Sequence, residues 1–224
     1  MITTQYLKQT CVILGNKSLT LLVTQSVGPR ILSLHVGDGS NLFAEIPDLT
    51  LDCPGEGKFH FYGGHRLWYA PEIPEQTYLP DDDPVEVEHQ ENRTTFTQPI
   101  ETGTGIQKAI TVRLPEDAPT VIIDHTLTNH GAKPVEFSPW VITQLKMGGF
   151  AVLPQPSGYT DPVGLLPNRF LSLWPYTDIR SPFIHFGNRY IFIDSTPQSG
   201  PMKIGYPNPR GWLGYYREKT LFVK

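Results

Sequence analysis

Proline and glycine interrupt this chain so often that long helices have almost nowhere to form. There are 22 prolines and 20 glycines among the 224 residues. Proline removes a backbone donor and fixes φ, while glycine loses the most conformational freedom in a helix, so frequent copies of both favour short strands joined by turns. The segments between them carry the matching pattern. "CVILGNKSLTLLVT" is two apolar, β-branched runs around Gly-Asn-Lys-Ser, which predicts a hairpin. In "PRILSLHVGDGSNLF", Ile31, Ser33 and His35 alternate with Leu32, Leu34 and Val36, which predicts a half-buried strand closed by a Gly-Asp-Gly-Ser turn. "PVEVEHQENRTTFTQPI", "GIQKAITVRLP" and "TVIIDHTLTNHG" keep the period of two, and no helical apolar stripe competes with it.

From residue 151 the text turns proline-rich and aromatic, "AVLPQPSGYTDPVGLLPNRFLSLWPY", which reads as long loops with short strands laid over a sheet. Long loops on a β scaffold are common carriers of function. An all-β chain is therefore expected. With no internal repeat, low-complexity tract or linker, residues 1–224 read as a single domain. The last segment, "GWLGYYREKTLFVK", keeps strand character to its final residue, as a domain cut short at its C-terminus would.

Charge and cysteine content exclude several classes. Eighteen Lys plus Arg against 22 Asp plus Glu leave a net charge of −4, so the chain has no electrostatic footprint for a phosphate backbone, and nucleic acid is not an expected partner. Two cysteines, Cys11 and Cys53, are too few for a disulfide framework and lack the spacing of a zinc or redox motif. The N-terminus has no basic segment followed by an unbroken apolar run, and no stretch reaches the length of a membrane span, so the expected location is cytoplasmic and away from the membrane. Nucleophile-elbow, phosphate-loop, dinucleotide and zinc-protease signatures are all missing. No cofactor is implied, and nothing fixes an oligomeric state.

Against that background "FYGGHRLWYAPE", residues 61–72, stands out as a binding surface. If Gly64 to Ala70 is extended, Arg66 and Trp68 share one face while His65, Leu67 and Tyr69 share the other, and Pro71 stops the ladder. Gly63 and Gly64 allow backbone or ligand to approach where a Cβ would intrude. An indole beside fixed polar groups suits a sugar, whose C–H faces stack on the ring while His65, Arg66 and Glu72 orient hydroxyls. The structural alternative is an Arg66–Trp68 cation–π pair at a sheet surface, with His65 a satisfied core histidine. His60, His65 and Glu72 offer three potential ligands but match no metal motif, so no metal is expected. The carboxylates of "PDDDPVEVEHQ" lack the glycine turn of a calcium loop and read as a solvated turn. His125 lies on the Val121, Ile123, Leu127 side of its strand and reads as core. Lys203 alternates with Met202 and Ile204 and faces away from the apolar side, either as a second site wall or as an ordinary edge lysine.

Three blocks, "GPRILSLHVGDGSNLF", "FYGGHRLWYAPE" and "LTNHGAKPVEFSPWVITQL", together resemble the galactose mutarotase-like superfamily, and most of all its bacterial branch with a Gly-Gly-His-Arg-Leu-Trp block. The resemblance spans residues 12 to 224. It implies a β-supersandwich, two large antiparallel sheets packed face to face with a sugar site on one concave sheet. Aldose 1-epimerases of the superfamily open the sugar ring with a glutamate base and a histidine acid. Matched onto "SPWVITQL", the acid position holds Trp140, whose indole N–H cannot release a proton near neutral pH. No residue matches the base glutamate.

The resulting expectation is a carbohydrate-binding domain contacting a small sugar through His65, Arg66, Trp68, Glu72 and Trp140, with Arg30 and Lys203 as further contacts. The rival expectation is an active epimerase in which His65 and Glu72 form the proton-transferring pair. A third is an interaction scaffold whose aromatics are core.

Overall fold

A computed structural model describes residues 1–159, 161–197 and 200–224, and almost all of its regular structure is β. The contacts divide the chain into two units, Met1–Lys146 and Met147–Lys224. Among the described residues no helix is long and apolar enough to cross a membrane.

The first unit begins with β1 (Ile2–Tyr6), β2 (Gln9–Gly15), β3 (Leu19–Thr24) and β4 (Arg30–Val36). The expected hairpin forms: β2 and β3 pair antiparallel from Cys11↔Thr24 to Gly15↔Thr20, and Asn16 closes the turn by accepting from the Ser18 and Leu19 amides. Next come β5 (Glu45–Cys53), β6 (Gly57–Gly63) and β7 (His65–Ala70), with one short helix, α1 (Pro74–Thr77). Strands β8 (Glu86–Gln90), β9 (Arg93–Thr97), β10 (Ile106–Arg113), β11 (Ile122–Asn129) and β12 (Ser138–Thr143) complete the unit.

Six of these strands form one sheet in the order β1-β2-β3-β4-β7-β12, four form a second, β11-β10-β9-β8, and β5 with β6 makes a separate ribbon. All the pairings are antiparallel. The four-stranded sheet turns the buried side of β10, Ile106, Lys108, Ile110 and Val112, towards β7. Across that gap His65 meets His125 of β11, and the Lys108 ammonium lies 5.5 Å from the centre of the Tyr69 ring. This is the two-layer logic of a β-sandwich.

One expectation about β4 is corrected. The strand is not half buried, because Arg30 through Leu34 are all buried. Its second face is covered as well: Leu32 packs with Cys11, Val27 and Tyr62, the last of these from β6. A strand with both faces covered reads apolar at successive positions, which the alternating Ser33 obscures in the sequence.

The glycine pair makes the turn from β6 into β7 physically feasible. Gly63 and Gly64 have φ of +100° and +73°, and a Cβ on either would fall 2.0 Å from the Ala44 carbonyl oxygen or 2.1 Å from that of Ile31. The close approach is therefore of backbone to backbone.

The second unit holds β13 (Gly149–Pro154), β14 (Ser172–Leu173), β15 (Ile184–Phe186), β16 (Tyr190–Ser195), β17 (Ile204–Gly205), β18 (Gly214–Arg217) and β19 (Thr220–Val223). Five form a sheet in the order β15-β16-β13-β18-β19, and β14 pairs with β17. Its core gathers Leu153, Ile184 and Ile191, with Met202, Ile204 and Tyr206 packed against them. The expected mixture of long loops and short strands after residue 151 is found here.

Candidate functional site

Strand β7 positions the site, and its alternation divides the residues of the His-Arg-Leu-Trp block between two environments. His65, Leu67 and Tyr69 point into the sandwich, whereas Arg66 and Trp68 point to the face covered by β6 and the segment after α1. The two faces have different chemistry.

On the Trp68 face the rings form a continuous cluster. Trp68 lies 5.6 Å from Phe59, 5.3 Å from Tyr78 and 5.1 Å from Trp140, centre to centre. Trp140 is there because β12 pairs with β7 in a register that sets Trp140 directly opposite Trp68. Cross-strand partners share a face, so two indoles far apart in sequence become neighbours. Their exposure differs: Trp68 is 5 % exposed, while Trp140, on the edge strand β12, is half-buried.

Arg66 sits among these rings. Its guanidinium carbon is 4.1 Å from the Trp68 ring centre and 5.0 Å from those of Phe59 and Phe61, so the cation–π pairing weighed from sequence is present in a larger aromatic box. The side chain is buried, donates from Nη1 to the Phe61 carbonyl at 3.4 Å, and leaves Nε without a hydrogen-bond partner. Burial, together with the nearby Arg30 charge, pulls its pKa down to about 9.

Arg30, its neighbour across the β4–β7 pair, is handled differently. It is fully buried, and its Nη2 donates to Asp81 at 2.7 Å and to the His60 carbonyl at 3.0 Å. The acidic run therefore is not simply a solvated turn. Asp81 is an ion-pair partner for a core arginine, and Asp82 reaches within 3.3 Å of the His60 ring nitrogen Nδ1. A buried guanidinium needs a fixed counter-charge, and that carboxylate lies 51 residues away in sequence.

On the inner face His65 bonds through Nδ1 to the Thr143 hydroxyl at 2.8 Å and through Nε2 to His125 Nε2 at 2.9 Å. One of those two Nε2 atoms donates and the other accepts, so at most one of the two rings can carry the charged form. His125 thus takes the inward place expected of it, half-buried and hydrogen-bonded to His65.

Glu72 is on the other side of the strand. It is exposed and accepts a short hydrogen bond from the Tyr78 hydroxyl, and burial and this bond push the Tyr78 pKa up to about 12. The structure consequently brings His65 and Glu72 to opposite faces of β7 and gives each a different partner. His60, His65 and Glu72 do not assemble into a ligand set either, and among the described residues no three His, Cys, Asp or Glu side chains are placed to hold a metal ion.

Of the seven residues singled out from the sequence, Arg30, His65, Arg66 and Trp68 are buried and act as the frame. Trp140 is half-buried and Glu72 is exposed. Lys203 belongs to the second unit, where it is exposed and its ammonium lies 4.3 Å from the centre of the Trp174 ring. The sequence reading missed Phe59 and Tyr78, which wall the cluster, and Asp81. Aromatic alternation in "KFHFY" was the available signal for the first.

No family model matches the sequence, and neither the curated proteins nor the solved structures give a match.

Proposed function

We propose that this chain is a carbohydrate-recognition domain of mutarotase-like β-sandwich fold, with the sugar stacked on the outer face of Trp140. The all-β, antiparallel architecture supports the fold assignment. The observation that carries the functional reading is the pairing of a half-exposed indole, Trp140, with a buried indole, Trp68, that fixes it in place. A ring held rigidly by its neighbour loses little entropy on stacking against a ligand. Tyr78 orients the exposed carboxylate of Glu72 beside the same cluster, which supplies an acceptor for sugar hydroxyls.

Recognition is favoured over proton transfer because the imidazole of His65 is directed into the sandwich and occupied by Thr143 and His125. A general acid must lie within hydrogen-bond reach of the atom it protonates. Saturation-transfer NMR on a panel of monosaccharides tests the reading. Enhancement of the sugar C–H protons in the presence of the protein, abolished in Trp140→Ala, is the expected result, and a panel with no enhanced member contradicts it.

A further inference from the structure

The second unit carries a charge that the chain as a whole conceals. Eight Lys and Arg against four Asp and Glu give residues 147–224 a net charge of +4, whereas ten against eighteen give residues 1–146 a net charge of −8. The chain-level balance of −4 joins an acidic unit to a basic one.

The basic unit also holds an apolar loop, between β13 and β14. Two bonds close its neck: Asn168 Nδ2 donates to the Gly158 carbonyl, and Arg169 Nε donates to the Pro156 carbonyl at 3.3 Å. Asp161 organises the tip, where its carboxylate accepts from the amides of Val163, Leu165 and Leu166 at 3.1, 3.2 and 2.8 Å. Closed at the base and bonded within, the described residues between 156 and 169 have the construction of an Ω-loop, a type that frequently carries function. Its side chains are apolar and turned outward. Tyr159, Val163, Leu165 and Leu166 are 83, 73, 82 and 62 % exposed. Side chains this exposed project beyond their surroundings, and grouped apolar exposure of this kind marks an interaction surface.

We propose that this loop docks the second unit on the surface of an anionic lipid bilayer, its apolar tip entering the boundary between headgroups and acyl chains while the basic side chains of the unit, Arg169 at the neck among them, meet the headgroups. Charge complementarity selects this occupant. Basic residues near an anionic leaflet are attracted to its negative surface potential, whereas two copies of a unit of charge +4 repel each other when the same faces meet. A projecting tip also suits a fluid phase, which accepts it without a matching pocket. Because the loop is already bonded internally, it loses little freedom on insertion. The expectation of a chain away from the membrane came from the lack of a spanning segment, and docking of this kind reaches only ~5–10 Å into one leaflet.

The test is co-sedimentation of the full chain with vesicles of phosphatidylcholine alone and of phosphatidylcholine mixed with phosphatidylserine. The wild type is expected to bind the mixed vesicles, and to lose most of that binding on phosphatidylcholine alone or in high salt. The double variant Val163→Ser, Leu165→Ser alters two exposed side chains, so it is expected to keep its melting temperature and to bind the mixed vesicles about tenfold or more weakly. Either single variant should fall between the two. No binding to the mixed vesicles, equal binding to both lipids, or unchanged binding in the double variant would each overturn the proposal. So would self-association without lipid, measured by sedimentation equilibrium, that the double variant abolishes, since the tip would then be a contact between copies of this chain.

Discussion

Trp68 and Trp140 face each other across the β7–β12 pair with ring centres 5.1 Å apart and planes inclined by 55°. The same contact joins a core residue to a surface residue, which separates two effects that a sequence reading assigns together. Trp68→Ala is expected to destabilise the protein by about 3–5 kcal/mol, the usual loss for a large buried ring. Trp140→Ala is expected to change stability much less. Denaturant melts of the two variants check this, and similar losses would contradict the burial difference.

Arg66 is held at a cost to stability. Its pKa falls from the ordinary guanidinium range to about 9 on folding, so between the two the unfolded chain binds more protons than the folded one. Stability from this group therefore rises with pH across that window, and the full desolvation penalty is present below it. Contacts with three rings act against that penalty. Arg66→Met, which removes the charge and keeps an unbranched apolar stem, is expected to melt above the wild type at pH 7, with the gap beginning to narrow as the pH rises past about 9. A gap that widens with pH would reverse the sign.

The Arg30–Asp81 pair is expected to behave in the opposite way. Arg30 is fully buried, and removing its carboxylate strands the charge. Asp81→Ala should cost about 3–5 kcal/mol in a chemical melt. A loss similar to that of an exposed pair such as Arg113–Asp124 would mean that Arg30 finds water instead.

Gly64→Ala should prevent the β6–β7 turn from closing, since its Cβ would overlap the Ile31 carbonyl at a φ of +73°. Both the clash and the left-handed conformation oppose it. Expression as an unfolded or aggregated chain, seen by loss of the β circular-dichroism signal, is the expected outcome. Native-like spectra would show that the turn has another route.

No acceleration of glucose or galactose mutarotation is expected in polarimetry above the uncatalysed rate. His65 is turned into the sandwich, and an acid/base group of this kind contributes typically ~10²–10⁴-fold in rate. Acceleration that vanishes in His65→Ala would make His65 the acid after all.

What could be read from the residues was what depends on local period. The β2–β3 hairpin, and the division of Arg66 and Trp68 from His65 and Tyr69, follow from alternation alone. Burial did not, because it depends on what packs over a face. The β5–β6 ribbon that covers Arg30 and Trp68 is hidden in "EIPDLTLDCPGEGKFHF", where Pro47 and a register shift between Ile46 and Thr50 break the strand pattern. The partner of Arg30 was equally hidden, since an acidic turn looks the same in sequence whether it is solvated or docked.

Carbohydrate recognition at Trp140 is tested most directly by calorimetric titration of the wild type and Trp140→Ala with whichever monosaccharide gives the strongest NMR enhancement. The account predicts one-to-one binding by the wild type and an affinity about tenfold or more lower in the variant, with its melting temperature little changed. Equal affinity in the two proteins, or no binding heat in the wild type, would contradict it.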